Sequence, residues 1–327
     1  MARKHKSTKV WAAIGILVVF LLLVILLSFF LGSVFIATNE LMQSNIFWQI
    51  RLPRIVLAAL IGLLLSVSGV ILQGVLRNPL ADPYILGISA GGAVGAALPI
   101  ALGMQFVILG MSAVPIMAFA FALAAVFVVY KLSMVAGRTT PETLILAGVA
   151  LSAFCAAILS LIIIISGNLQ SIYFWLLGSL SSANWGDVLT VIPYAAVGSV
   201  AAYFFSKELN ALLLGEEMAL TLGVEVETVR LVLIGVASLM TAAAVSVSGL
   251  IGFVGLIIPH WIRIIIGPNH RFLIPVSALS GMLLVVAADT VARTVMSPLE
   301  IPIGIVMALV GAPFFLYLLR RRRTGEK

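Results

Sequence analysis

The chain has 327 residues, of which 62% are hydrophobic and only 9% charged, with a formal net charge of +7. A soluble globular domain carries roughly 25% charged residues, so this composition excludes one and points to a polytopic membrane protein. A transmembrane β-barrel is excluded as well, because the long apolar runs lack the alternation of a barrel strand.

A helix needs about 20 apolar residues to cross a hydrocarbon core of roughly 30 Å. Breaks at charges, Pro and Gly divide the chain into ten such spans. The first, 10–32, follows a basic segment, Met1 to Lys9; it is too long for the roughly 7–15-residue core of a signal peptide and reads as an uncleaved span. Spans at 55–76, 84–103, 110–131, 142–166 and 187–206 follow. Residues 207–229 are the most polar internal segment and hold five of the twelve acids. The run 230–266 is too long for one span, and a split at Ser246-Val247-Ser248-Gly249 gives 230–248 and 251–266. The last two spans are 272–296 and 301–319.

An even number of spans puts both termini on one side. If that side is the cytoplasm it receives sixteen of the nineteen Lys and Arg, leaving Arg51, Arg54 and Arg293 outside, a strong positive-inside bias. The net charge is then mostly a flank facing anionic lipid, and no nucleic-acid partner is needed to explain it. Trp48 and Trp185 fall near the outer interface and Trp11 near the inner one, positions that suit either an aromatic belt or ordinary packing.

Catalytic and metal constellations are missing from the sequence. His5, His260 and His270 are far apart, the methionines are dispersed, and Cys155 is the single cysteine, so no spacing supports a metal site or an internal disulfide. None of the six lysines follows a glycine, so there is no phosphate-binding loop, and ATP-driven transport would need its ATPase on another polypeptide. The spans are poor in the ionisable residues that ion-coupled carriers use. The exception is Asp289 and Arg293, at i and i+4 on one face of the ninth span, where they are expected to neutralise each other.

Three short patterns stand out. Gly215 to Gly223 reads as a small amphipathic helix, with Glu216 and Glu217 in its first turn and Gly223 as its stop. Thr139-Thr140-Pro141-Glu142 is a helix start, with Thr as cap and Pro at the first position. Ser89, Gly91, Gly92 and Gly95 give either close helix packing or the wall of a wide pathway.

Residues 249–260 read Gly-Leu-Ile-Gly-Phe-Val-Gly-Leu-Ile-Ile-Pro-His. Glycine lets backbones approach and proline frees a carbonyl, so neither is placed in an apolar span for stability alone. This run resembles the signature of permease subunits in the FecCD family of ABC importers for ferric siderophores, haem and cobalamin. So do Arg51-Leu52-Pro53-Arg54, Arg77-Asn78-Pro79-Leu80-Ala81-Asp82-Pro83, Leu86-Gly87-Ile88-Ser89-Ala90-Gly91-Gly92, Trp175-Leu176-Leu177-Gly178-Ser179-Leu180, Asp289-Thr290-Val291-Ala292-Arg293, Glu300-Ile301-Pro302-Ile303-Gly304 and Gly311-Ala312-Pro313. They fall in family order from about residue 45 to 320; the first 44 residues carry no family pattern.

The resemblance implies the all-α fold of a type II importer permease, one transmembrane domain of about ten helices with cytoplasmic basic tails at 1–9 and 320–327. It makes 207–229 the cytoplasmic coupling segment, with Gly215, Glu216, Glu217, Ala219, Leu222 and Gly223 docking on the ATPase. It assigns Arg51, Arg54 and Arg293 to docking of the binding protein, and Ser89, Gly91, Gly92, Thr139, Thr140, Pro141 and Glu142 to the pathway or its gate. The implied partners are a second permease subunit, in the simplest case an identical copy, two cytoplasmic ATPase subunits and an extracytoplasmic solute-binding protein. ATP and Mg would sit on the ATPase, with no cofactor on this chain. The implied location is the cytoplasmic membrane of a bacterium or archaeon. The rival class is an ion-coupled secondary transporter, which needs intramembrane acids and no ATPase.

Overall fold

The computed structural model describes residues 2–32, 45–108, 110–135 and 138–323; for residues 2–10, 135, 138, 318, 319 and 321–323 it describes the backbone alone. Most of the basic charge expected in the two tails lies outside the described side chains. The helices, in order, are α1 (Ala2–Phe30), α2 (Leu52–Val75), α3 (Ile88–Leu102), α4 (Ala113–Ser133), α5 (Pro141–Ser166), α6 (Leu169–Leu176), α7 (Trp185–Phe204), α8 (Ser206–Leu212), α9 (Glu216–Thr221), α10 (Val226–Ser248), α11 (Val254–Ile266), α12 (His270–Thr294) and α13 (Ile303–Arg323). Two small antiparallel ribbons flank α4: β1 (Val107–Ile108) with β2 (Met111–Ser112), and β3 (Met134–Val135) with β4 (Arg138–Thr139).

Seven helices are long and apolar enough to cross a membrane, and three shorter apolar ones, in α3, α11 and α13, join them. Each falls on one of the ten expected stretches to within a few residues. At the N-terminus the apolar stretch is Trp11–Phe30, as expected, and the helix that carries it begins earlier, at Ala2, so the basic segment continues the same helix. Helices α6 and α8 are additions that hydropathy alone does not delimit. α6 is set apart from α5 by Gly167 and ends just before Gly178, both in the left-handed region.

Helix α2 lies at the centre, buried on nearly every side, and packs against α7, α10, α11 and α12. Helices α3, α4 and α5 pack on one another beside α10, and α1 lies against α12. Close crossings depend on glycine. A Cβ on Gly62 would come within 2.1 Å of the Gly281 carbonyl oxygen, and one on Gly281 within 2.3 Å of the Gly62 oxygen, so α2 and α12 touch backbone to backbone.

The break between α10 and α11 falls where the glycine-rich run was read. Its backbone groups would be orphaned in an apolar interior, and Tyr84 meets two of them. The Tyr84 hydroxyl donates to the Ile251 carbonyl at 3.0 Å and accepts from the Ile251 amide at 3.1 Å. The Gln73 amide donates to the Leu256 carbonyl at 3.1 Å, on the freed first turn of α11.

Candidate functional site

Polar side chains gather at two ends of the bundle. One end carries α8 and α9. Helix α9 is a single short helix entered through Gly215 and closed by a left-handed Gly223 (φ +81°). The Gly223 amide donates to the Leu220 carbonyl at 2.9 Å and the Val224 amide to the Ala219 carbonyl at 3.0 Å, the paired bonds of a Schellman stop. Ala219 is fully buried and anchors the helix, while Glu217 faces out beside Met218, Leu220 and Leu222, which are 52%, 59% and 60% exposed. An otherwise polar segment therefore presents an apolar ridge.

Beneath that ridge lies Arg230, in the second turn of α10 and 1% exposed. Its Nη2 donates to Glu216 Oε1 at 2.6 Å and its Nη1 to Glu227 Oε1 at 2.7 Å and to the Thr139 carbonyl. Glu216 also accepts from Arg77 Nη2 at 3.1 Å, and Thr139 Oγ1 donates to Glu227 Oε2 at 3.1 Å. One guanidinium thus touches both α9 and the residue at the foot of α5. Thr140 caps α5, its Oγ1 accepting from the Thr143 amide at 3.3 Å, and its own amide donates to Thr143 Oγ1 at 3.1 Å. Pro141 holds the first position and Glu142 faces out. Arg230, Arg77 and Glu227 belong to this polar cluster, and sequence reasoning counted them only as charges. The available signal was Glu227 and Arg230 at i and i+3 at the head of a span.

The opposite end holds Arg51, Arg54 and Arg293, all buried. Arg54 Nε and Nη2 grip Asp289 at 2.9–3.1 Å, and Nη1 reaches Glu300 Oε2 at 2.8 Å. Arg293 Nη2 donates to the Ser28 carbonyl at 2.7 Å and also to the Ser28 hydroxyl. Arg51 Nη1 donates to the Phe29 carbonyl at 2.8 Å. Asp289 and Arg293 do form the expected pair, but it is not the closest contact of either group. Asp289 is held chiefly by Arg54 and lies 3.7 Å from Arg293 Nε, because a bidentate fork outcompetes a single-point contact along one helix. The three guanidiniums are buried and, among the described residues, tie α1, α2 and α12 together.

The small residues of α3 resolve toward packing. A Cβ on Gly91 would lie 2.6 Å from Ala125 Cβ, one on Gly95 2.4 Å from the Met117 oxygen, and one on Gly92 3.0 Å from Val245 Cγ1. Gly91 and Gly92 thus seat α3 on α4 and α10 instead of lining an open wall, and Ser89 is half-buried one turn earlier. A cavity of about 550 Å³ opens at the Arg54 end, its lining mixing Ser179, Asn184, Asp187 and Glu300 with Phe174 and Trp175. Asn184 caps α7, accepting from the Gly186 amide at 2.8 Å.

Apolar helices of spanning length around a buried α2, with charge collected at the two ends, define a polytopic membrane protein. Its sequence matches the FecCD transport family over residues 19–321, and the chain belongs to that family. It is 50% identical to the cobalamin import system permease protein of Halobacterium salinarum, over 84% of this chain and 73% of that protein. It is 41% identical to the hemin transport system permease protein of Yersinia pestis, over 88% of this chain and 86% of that one. A solved structure described as an inward-facing conformation of a metal-chelate type ABC transporter superposes with a TM-score of 0.85 at 35% identity, covering 95% of this chain and 99% of its own.

Proposed function

We propose that this chain is the membrane-spanning permease subunit of an ATP-driven importer, moving a metal chelate or related macrocycle of the siderophore, haem or cobalamin kind. The observation that carries this reading is the ridge on α9. Apolar side chains 52–60% exposed on a segment rich in acids are the mark of a surface that another protein covers. The partner assigned to it is a cytoplasmic ATPase subunit, which holds ATP and Mg; this chain is not itself an enzyme.

On this reading ten helices cross the cytoplasmic membrane of a bacterium or archaeon and both termini face the cytoplasm. Arg77, Lys131, Lys207, Arg230, Arg263 and Arg271 fall on the α9 side against Arg51, Arg54 and Arg293 on the other, which supports the α9 end as the inner one. Two permease copies flank the pathway. Thr139, Thr140, Pro141 and Glu142 form the inner gate. The solute-binding protein docks at the Arg54 end, where the buried arginines shape the receiving surface from beneath. Pull-down with the ATPase subunit tests the assignment: Met218→Asp, which puts a charge in the ridge, abolishes capture while the permease stays folded. Full capture by that variant would remove α9 from the interface.

A further inference from the structure

We infer that Arg230 is the positioning residue through which movement of α9 reaches the foot of α5; this rests on the reading of α9 as the ATPase-facing element. Three elements meet on its side chain, one of them, at Thr139, 91 positions away. Nη2 holds Glu216 in the first turn of α9, Nη1 holds Glu227 in its own helix, and Nη1 also reaches the carbonyl of Thr139, in β4. Thr139 is itself hooked to Glu227 through its hydroxyl and directly precedes the Thr140 cap and Pro141, whose ring fixes the backbone entering α5. A displacement of Thr139 therefore carries the start of α5 with it.

The chemistry suits a rigid link. Arg230 is 1% exposed, and its Nε has no partner among the described residues, so the hydrogen bonds it makes to them run through the two Nη groups. A planar guanidinium fixes the angle between its donors, whereas a lysine ammonium is a single point on a flexible stem. When α9 shifts and Glu216 moves, the buried cation either follows or loses a charged partner in a place where water cannot replace it. Following is favoured, and Thr139 is drawn along. The second bridge to Glu216, from Arg77, is longer and half-exposed, which makes it the weaker hold. Glu216 and Glu227 are each about a third exposed, so the link is formed by one buried cation and two carboxylates accessible for substitution.

The test uses the assembled importer, permease with ATPase and binding protein, in lipid. Cys155 is replaced by alanine, and spin labels are placed on exposed positions of α9 (Thr221), α5 (Leu146) and, as a fixed reference, α7 (Val197). Distances to the reference are read with and without nucleotide. In the parent protein both the α9 and the α5 label shift. In Arg230→Lys, and in Glu227→Ala, which leaves the buried guanidinium in place, the α9 label still shifts and the α5 label does not. Substrate moved per ATP hydrolysed falls about tenfold, within the range typical of coupling between sites. An α5 shift that persists in both variants would overturn the link while leaving the α9 assignment intact. An α9 label that does not respond to nucleotide even in the parent would instead remove the premise, and the link with it.

Discussion

Gly223 offers a way to disturb α9 without disturbing the bundle. Its φ of +81° lies where L-residues are strained, and a Cβ built there meets nothing within 4 Å. The penalty of Gly223→Val is therefore one of backbone conformation alone, about 1–2 kcal/mol for a β-branched residue held in the left-handed region. The two bonds that the stop contributes, from Gly223 and Val224 to Leu220 and Ala219, are worth about 0.5–1.5 kcal/mol net each. Strain of that size offsets much of the roughly 1–3 kcal/mol the two bonds supply, so the stop opens in a large fraction of molecules and the end of α9 turns away from its seat. Against a global stability of about 5–15 kcal/mol the same strain leaves the fold intact. The assay is ATP-driven uptake by proteoliposomes holding permease, ATPase and binding protein, with permease assembly checked by size exclusion. Gly223→Val assembles normally and loses uptake, and Gly223→Ala is intermediate. Wild-type uptake by Gly223→Val would refute the reasoning, since it would show that the geometry of this stop is not used.

Two further outcomes concern the bundle itself. Asp289→Ala leaves Arg54 and Arg293 buried with Glu300 as the nearest acid and lowers unfolding stability in lipid by about 3–5 kcal/mol; Glu300→Gln, at the 27% exposed carboxylate, costs about 1 kcal/mol or less, and equal losses for the two would contradict the assignment of Arg54 to Asp289. Gly62→Val prevents folded protein from accumulating, because its Cβ would lie 2.1 Å from a backbone oxygen of α12 and neither helix can retreat without opening the core; a folded, monodisperse Gly62→Val would show that the α2–α12 crossing is looser than described.

The helices were legible because bilayer thickness sets their length and charge marks their ends, a constraint each segment satisfies by itself. The split of 230–266 at Gly249, the Thr140 cap and the Gly223 stop were legible for the same reason, being local backbone chemistry. What depends on distant partners was not. Arg54 and Asp289 are 235 positions apart, so sequence pairs Asp289 with its helical neighbour Arg293, and only the approach of α2 to α12 reveals the stronger fork. The convergence of Thr139 and Glu216 on Arg230 is invisible for the same reason. Gly91 and Gly95 fit both packing and a pathway wall until α4 is placed against them. The short α6 falls in an apolar connector whose hydropathy matches that of the spans, and it is delimited by left-handed glycines instead of by charge.

The central claim is that transport draws on a partner ATPase and not on an ion gradient carried through this chain. Uptake of a candidate chelate is measured in vesicles loaded with ATP and Mg, containing the permease, its ATPase and its binding protein, after proton and sodium gradients have been collapsed with ionophores. The account predicts undiminished uptake that stops when ATP is withheld. Uptake that stops with the gradients and ignores ATP would contradict it and make the protein an ion-coupled carrier.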